Sequence, residues 1–371
     1  MRICSWSMLW LWLTIAPVCA GVLSTQDVEQ AADTFLLASK AAGVEIAVAL
    51  PGSSDPVLVA RGFSCVPHKV PLLVNDPMRI GSITKLFTAL RIKMYIDAGT
   101  LSYETPLSKF YPDVRGGDKI TICHLLNHTA GLRELQDIPE ILANPTKTWA
   151  IKDLLAVILK AEPSFAAGEQ MRYSNSSYIV LGDIIARLSG KTWECENNDA
   201  IAAPLKMKIC RLGDDVTVLP GEAHGYALGA DGTWCKPISL SNSFAYSAGG
   251  LVCGAMDLLR LATADTLLKK PWLTLEKLTP VLLNNGKPTT KHVDFRGIVY
   301  DWVAQDGLEQ LDFPDGLRLI GKQGNYPGFT SMFARDPATG MVIAVLVNQE
   351  KVNQEIIAMI RRLCAIIHKA S

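Results

Sequence analysis

Strand-like segments lie at both ends of this 371-residue chain, and the residues between them are mainly helical in pattern. Two short runs near the N-terminus, at 44–50 and 57–60, are separated by a connection rich in Pro, Gly and Ser. The simplest arrangement joins them to the C-terminal strands in one antiparallel sheet, with the two terminal helices packed on it. The pattern therefore predicts an α+β fold, in which this sheet and a mostly helical lobe enclose a cleft.

The spacing of apolar residues predicts the extent of each element. Helices are predicted at 25–42, 83–98, 121–127, 151–160, 177–189, 194–203, 255–268 and 349–368. The C-terminal strands are predicted at 297–304, 317–322, 330–335 and 341–348. No internal repeat or low-complexity linker divides the chain, so we expect residues 21–371 to form a single unit. Its sheet lobe would comprise about residues 21–80 and 285–371, and its helical lobe about residues 81–284.

Residues 1–20 are typical of an export signal. Arg2 precedes an apolar run from Trp6 to Ala16, and the small residues Val18-Cys19-Ala20 suit cleavage after Ala20. No later apolar run is long enough to cross a bilayer. We therefore expect a secreted or exported protein that contacts a membrane only through its signal segment. An uncleaved signal anchor is the alternative.

Opposite charges balance along the chain. It contains 36 Lys and Arg residues and 36 Asp and Glu residues, with no long run of either sign. A nucleic-acid-binding protein requires a basic surface, so this class of function is disfavoured. The expected partner is a small-molecule or peptide substrate. The oligomeric state stays open.

Of the nine cysteines, seven follow the export signal, so at least one thiol is left outside intramolecular disulfides. Proximity in sequence favours the pairs Cys195–Cys210 and Cys235–Cys253. Cys123, His124 and His128 also lie close together, but packing and helix capping account for them better than a zinc site does, and no CxxC motif is present. We expect no metal and no cofactor.

The segment Ser82-Ile83-Thr84-Lys85 opens the first central helix with the spacing of a catalytic pair. Residues i and i+3 of a helix face the same side, with Cβ atoms about 5–6 Å apart, so Lys85 can reach the Ser82 hydroxyl. A buried, neutral lysine could accept the hydroxyl proton. The helix N-terminus also directs unpaired N–H groups and its positive dipole end at the site. These features suit a nucleophile for acyl transfer.

Two further motifs strengthen this interpretation. Tyr173-Ser174-Asn175 precedes a predicted helix, as a loop that lines a cleft should. Lys322-Gln323-Gly324 ends a predicted strand, and its glycine would let a substrate backbone approach the strand edge closely. The three motifs together favour an enzyme over a binding protein.

In this order, the motifs resemble those of the penicillin-recognising serine hydrolases, which include class C β-lactamases, D-Ala-D-Ala carboxypeptidases and β-lactamase-like esterases. The similarity runs over most of the chain and includes 78–82, 125–132, 173–175, 247–251 and 321–329. It implies a β-lactamase/DD-peptidase-like fold and a secreted serine hydrolase that forms an acyl-enzyme. The substrate would be an amide or ester, such as a D-amino peptide, a β-lactam or a small ester.

The resemblance also implies how the reaction proceeds. Ser82 would be the nucleophile and Lys85 its partner. Tyr173 would pass a proton to the leaving group and later activate water. The backbone amides of Ser82 and Asn325 would form the oxyanion hole.

Substrate recognition is implied in the same way. Asn175 would hold the amide or ester flank of the substrate, and Gly324 would lie against it. Lys322 would favour acyl donors that carry a carboxylate next to the scissile bond. Gln323 stands where threonine is expected between Lys and Gly, so the substrate class stays open.

Two other functions are disfavoured. A Ser-His-Asp hydrolase would need a Gly-x-Ser-x-Gly motif to give His128 a partner serine, and its absence favours a structural role for His128. A catalytically weak ligand sensor or self-assembling scaffold on the same fold is the remaining alternative. Turnover of an activated ester distinguishes a scaffold from an enzyme.

Overall fold

A computed structural model describes residues 23–369, apart from residue 54, residues 214–220 and residue 296. The predicted export signal at 1–20 lies outside the described residues. The α-helices are Thr25–Ser39 (α1), Thr84–Asp97 (α2), Ile122–Leu126 (α3), Pro139–Leu142 (α4), Ile151–Lys160 (α5), Asn175–Ser189 (α6), Trp193–Asn197 (α7), Asn242–Gly249 (α8), Ala255–Arg260 (α9) and Asn353–His368 (α10). The strands are Gly43–Ala49 (β1), Val57–Cys65 (β2), Val70–Pro71 (β3), Met78–Arg79 (β4), Arg211–Leu212 (β5), Ala227–Leu228 (β6), Trp234–Cys235 (β7), Leu251–Cys253 (β8), Lys291–Phe295 (β9), Ile298–Gln305 (β10), Leu308–Asp312 (β11), Arg318–Tyr326 (β12), Phe329–Arg335 (β13) and Val342–Val347 (β14).

One antiparallel sheet contains strands from both ends of the chain. Its strand order is β3-β2-β1-β14-β13-β12-β11-β10-β9. The N-terminal strand β1 pairs with the C-terminal strand β14, with Val44 opposite Val347. Both strands are almost entirely buried, which explains their continuous apolar runs. The predicted α+β fold, with N-terminal and C-terminal strands in one sheet, is confirmed.

Helices cover both faces of this sheet. On one face α1 packs beside α10, and a capping box between Ser24 and Asp27 begins α1. Val28 and Phe35 of α1 are buried against the sheet at the spacing that the sequence predicted. The opposite face packs on the helical middle of the chain, where α2 and α6 are central. Across the described ranges we find no helix that is both long and apolar enough to cross a membrane.

Some predicted elements differ from the observed ones. The predicted helix at 194–203 is α7 followed by a π-helix at Asn198–Ala202, and the one at 255–268 is α9 followed by a 3-10 helix at Leu261–Leu267. Strands β9 and β11 were not predicted, because strands this short with several charged residues carry little apolar periodicity. The boundaries of the two lobes stay a prediction.

The predicted disulfide pairs are wrong. Cys210 bonds to Cys253, while Cys195 and Cys235 are exposed free thiols. The reason is strand pairing: β5 lies antiparallel to β8 with Arg211 opposite Val252, which places the preceding Cys210 beside Cys253. Proximity in sequence could not reveal this register.

Glu45 is a buried carboxyl where β1 meets the helical middle. Its side chain accepts the N–H of Asn75 at 2.5 Å and that of Ala255 at 3.4 Å, and the residue is 1% exposed. Burial, together with the nearby Asp76 and Asp257, raises the pKa of Glu45 from 4.5 to about 8. Glu45 is therefore mainly protonated at neutral pH.

This raised pKa predicts a loss of stability with rising pH. For a group whose pKa is higher in the folded state, the stabilisation is fully present below the ordinary 4.5 and is lost as pH rises through about 8. We expect Glu45→Gln to remove this loss, so that its free energy of unfolding falls less than that of wild type as the pH rises towards 8. Urea unfolding over about pH 5–9 measures it. The exposed Glu276→Gln is the control, and parallel pH dependences for wild type and Glu45→Gln would contradict the prediction.

Candidate active site

A cleft of about 1230 Å³ lies where strands β9 to β12 meet the helical middle. Four of the predicted site residues line it: Ser82, Tyr173, Asn175 and Asn325. The side chains of Lys85 and Lys322 lie behind this lining and are almost completely buried. The structure thus brings together motifs that are up to 240 residues apart in the sequence, counted from Ser82 to Lys322.

Ser82 and Lys85 form a hydrogen-bonded pair. Ser82 lies in a 3-10 turn at Gly81–Ile83 that continues directly into α2, and Nζ of Lys85 is 3.2 Å from its Oγ. Nζ also donates to Oδ1 of Asn175 and to the carbonyl oxygen of Ala248, each at 2.7 Å. A neutral amine has two N–H bonds and one lone pair. The two oxygen atoms can take both N–H bonds, and the lone pair then faces the hydroxyl groups of Ser82 and Tyr173, which both lie within hydrogen-bond reach of Nζ.

The two buried lysines have pKa values shifted in opposite directions. Burial lowers the pKa of Lys85, because its ammonium form loses hydration, and the charge of Lys322 lowers it further. Burial acts on Lys322 in the same sense, but the Glu309 carboxylate and the Tyr173 phenol together outweigh it and raise the pKa of Lys322. Lys85 is therefore suited to act as a base while Lys322 stays charged.

Tyr173 lies between these lysines. The Nζ atoms of Lys85 and Lys322 are each 4.8 Å from the centroid of its ring. Burial alone would raise the pKa of Tyr173, but the positive charges of Lys322 and Lys85 outweigh burial and lower it. A phenol with a lowered pKa gives up its proton more readily at neutral pH, which suits proton transfer.

Glu134 holds Asn175 in place. Its carboxylate accepts three hydrogen bonds. The donors are Nδ2 of Asn175 at 2.8 Å, the backbone N–H of Asn175 at 2.7 Å and the backbone N–H of Ser176 at 3.4 Å. Because Nδ2 is bound to the carboxylate, Oδ1 of Asn175 must point towards Lys85. Burial raises the pKa of Glu134, although these donors oppose that change. Both ends of the Asn175 amide are thus bound within the protein, and its predicted contact with substrate stays a prediction.

Lys322 does not point into the cleft as an unpaired cation. Its Nζ is 2.6 Å from Oε1 of Glu309 on the neighbouring strand β11, and Oε2 of Glu309 accepts the backbone N–H of Gln323 at 3.2 Å. Only 1% of the Lys322 side chain and 8% of the Glu309 side chain are exposed. We expected the Lys322 ammonium to face a substrate carboxylate; the structure instead places it against a carboxylate of the protein.

Two glycines bring the turn at Ser82 close to the strand edge. A Cβ atom at Gly81 would lie 2.7 Å from the backbone nitrogen of Asn325, and Gly81 has a φ of +50°. A Cβ atom at Gly324 would lie 2.0 Å from the carbonyl oxygen of Ile80. A side chain at position 324 would thus collide with the turn that carries Ser82, whereas the sequence predicted that Gly324 makes room for a substrate. The same contact brings the backbone of Asn325 beside Ser82, where the oxyanion hole was predicted.

His128 supports the Tyr173 loop. Its Nδ1 accepts the backbone N–H of Ser174 at 3.2 Å, and its ring centroid is 4.5 Å from that of Tyr173. Burial and the two lysine charges lower the pKa of His128 well below 6.5, so the ring is neutral. His124 completes the capping box of α3 with Thr121. Within the described residues, no three His, Cys, Asp or Glu side chains are grouped as a metal site requires.

Sequence reasoning missed two acidic residues of the site, Glu134 and Glu309. Glu134 follows the quoted segment 125–132 by two positions, but a single glutamate carries no motif signal. Glu309 lies on a strand that was not predicted. The segment Ser247–Leu251 was noted without a role, and the structure gives it one, because the carbonyl of Ala248 binds Lys85.

The chain matches the family model described as Beta-lactamase over residues 28–363. A penicillin-binding protein of Bacillus subtilis is 26% identical over 306 residues, which are 78% of this chain but only 64% of that relative, just under two thirds of its length. A beta-lactamase of Pseudomonas fluorescens is 24% identical over 360 residues, 89% of this chain and 95% of the relative. The D-amino acid amidase from Ochrobactrum anthropi SV3, complexed with L-phenylalanine amide, shares the fold with a TM-score of 0.78 and 24% identity, over 93% of this chain and 99% of that structure.

The contact between Glu134 and Asn175 predicts a change in pH dependence. The charge of Glu134 raises the pKa of Lys85, so Glu134→Gln should lower it and move the acid limb of the kcat/KM profile to lower pH. We also expect kcat to fall about 10- to 100-fold, as when other orienting partners are lost, because Asn175 can then turn its amide. Hydrolysis of an activated ester measured against pH tests both effects.

Glu140→Gln is the matched control, because Glu140 is exposed on α4, close in sequence to Glu134. Its profile should match wild type. A Glu134→Gln profile that keeps its acid limb, with kcat reduced or not, would mean that Glu134 does not act on Lys85.

Proposed function

We propose that this chain, which belongs to the beta-lactamase family, is an exported serine hydrolase that forms an acyl-enzyme on Ser82. The family is one of serine hydrolases that act on amides or β-lactams. The observation that carries the proposal is the position of Lys85: a buried amine that donates to two fixed oxygen atoms and lies 3.2 Å from Oγ of Ser82. This arrangement suits deprotonation of a serine that lines a cleft.

In the proposed acylation step, Oγ of Ser82 attacks the carbonyl carbon of an ester or amide while Lys85 takes the hydroxyl proton. The backbone amides of Ser82 and Asn325 stabilise the oxyanion, and the loss of one such donor typically costs about 2.7–4 kcal/mol. The bond from carbon to the leaving group then breaks. Tyr173 protonates the leaving group and recovers a proton from Lys85, so the lysine is neutral again.

Hydrolysis of the acyl-enzyme uses the same groups in reverse. The phenol proton of Tyr173 moves to the neutral Lys85, and the phenolate oxygen then removes a proton from water as the water oxygen attacks the acyl carbon. The bond from carbon to Oγ then breaks, and Ser82 takes the proton back from Lys85. The positive charge of Lys322 favours the phenolate form of Tyr173 that this step needs.

The substrate we propose is an amide or ester, such as a D-amino peptide, a β-lactam or a small ester. Export is proposed from the arrangement of Arg2, the apolar run and the small residues that precede position 21. A disulfide between Cys210 and Cys253 is compatible with an oxidising compartment.

Covalent labelling of Ser82 is the direct test of this proposal. Incubation with a fluorophosphonate should add one adduct that maps to the peptide containing Ser82. Among the described residues that line the cleft, Ser82 is the serine whose Oγ lies beside a buried amine. Intact-mass and peptide mass spectrometry measure the adduct. Ser82→Ala should abolish it, whereas Ser189→Ala, at the far end of α6, should not. Absence of the adduct in wild type would favour the scaffold alternative.

Removal of the Tyr173 hydroxyl should slow the reaction without loss of the fold. A positioned general acid or base contributes about 10²–10⁴-fold to the rate, so we expect Tyr173→Phe to lower kcat by that range and to leave KM and the melting temperature nearly unchanged. Steady-state kinetics with an activated ester measure this. Tyr111→Phe, which loses a hydroxyl bonded to Asp183, is the control. Wild-type kcat in Tyr173→Phe would assign proton transfer to another group.

A further inference from the structure

The charged side chains that line the cleft are acidic. Among the described residues of the lining, Asp294 on β9 and Glu309 on β11 carry carboxylates, and no Lys or Arg is present. The lining also contains His292, whose Nδ1 is 2.9 Å from Oδ1 of Asp301. Lys322 compensates the charge of Glu309, so this lining offers an anionic substrate no unpaired Lys or Arg.

Lys322 is the buried cation behind this lining that could bind a substrate carboxylate, and Glu309 already occupies it. The Nζ to Oε1 distance is 2.6 Å, and the second oxygen of Glu309 is held by the N–H of Gln323. Glu309 itself lines the cleft, whereas Lys322 lies behind it. A substrate therefore meets the carboxylate of the pair before its ammonium group.

We propose that Glu309 excludes acyl donors that carry a carboxylate next to the scissile bond, and that the natural acyl donor is uncharged at that position. The inference rests on the proposed function, since it concerns the substrate of the same site. A substrate carboxylate beside Lys322 would have to share the ammonium group with Glu309, and two buried carboxylates in one place repel each other. An uncharged group meets no such penalty.

Much of the cleft lining is apolar, which agrees with an uncharged substrate. The lining includes Leu135, Ile141, Leu142, Ile238, Leu240 and Phe244. Leu142 and Ile238 are large apolar side chains that are 59% and 78% exposed, so an apolar substrate group bound there would remove them from water. The natural substrate is thus an uncharged ester or amide that carries an apolar group.

A matched pair of thioesters tests the inference on the wild-type protein. Benzoylglycyl thioglycolate carries a carboxylate on its leaving group, and its methyl ester is neutral but otherwise the same. We expect kcat/KM for the neutral thioester to exceed that for the carboxylate by about tenfold or more. Equal values, or a preference for the carboxylate, would overturn the inference.

The variant Glu309→Gln identifies the residue responsible. Glutamine can still accept a hydrogen bond from Lys322 but leaves its charge uncompensated, so the preference for the neutral thioester should fall by about tenfold or more. Glu196→Gln is the control, because Glu196 pairs with Arg91 outside the cleft and its side chain is likewise 8% exposed. It should keep the wild-type ratio. An unchanged ratio in folded Glu309→Gln would overturn the role of Glu309.

The wild-type comparison stands even where Glu309→Gln fails to fold. The labelling of Ser82 separates the two proposals. Ser82 that is labelled by a fluorophosphonate in a protein that prefers the carboxylate thioester contradicts only this inference. Ser82 that is never labelled, with neither thioester hydrolysed, contradicts the proposed function and removes the basis of the inference with it.

Discussion

The burial of a single amine organises this site. Lys85 is wholly enclosed, and a charged ammonium group would lose its hydration there without an anion in direct contact. Oδ1 of Asn175 and the carbonyl of Ala248 satisfy the two N–H bonds of the neutral form. The elements that carry these two acceptors, α6 and α8, must therefore keep their positions around α2. The packing of the helical middle and the protonation state of the base depend on each other.

The site separates two lysines by charge. Lys85 has neutral oxygen partners, whereas Lys322 has a carboxylate at 2.6 Å, and Tyr173 lies between them. If both lysines were charged and had no anionic partner, their ammonium groups would repel each other across the Tyr173 ring. Glu309 allows Lys322 to stay charged, and the charged Lys322 in turn helps to keep Lys85 neutral. A carboxylate on the neighbouring strand thus helps to keep Lys85 in the neutral form that can accept a proton.

Local sequence spacing predicted what depends on local geometry. Ser82 and Lys85 face each other because helical residues three apart share a side, and the terminal strands pair because their apolar runs need one common sheet. Partners brought together by register or by loop position carried no such signal. Glu309 reaches Lys322 through pairing of β11 with β12, Glu134 reaches Asn175 across 41 residues, and Cys210 meets Cys253 through pairing of β5 with β8. In each case the contact follows from the tertiary arrangement and not from a motif.

The backbone sets the position of Ser82, and side chains set the charge around it. Gly81 and Gly324 let the turn at Ser82 touch strand β12, and Oγ of Ser331 binds the carbonyl of Ile80 at 2.8 Å across the same junction. A side chain at either glycine would push the strand edge away from Ser82. Glu309 lies on the neighbouring strand and reaches this junction only through its hydrogen bond with the backbone N–H of Gln323. Its other oxygen binds the ammonium group of Lys322, so the charge beside the cleft and the backbone contacts of Ser82 are determined mostly by different parts of the chain.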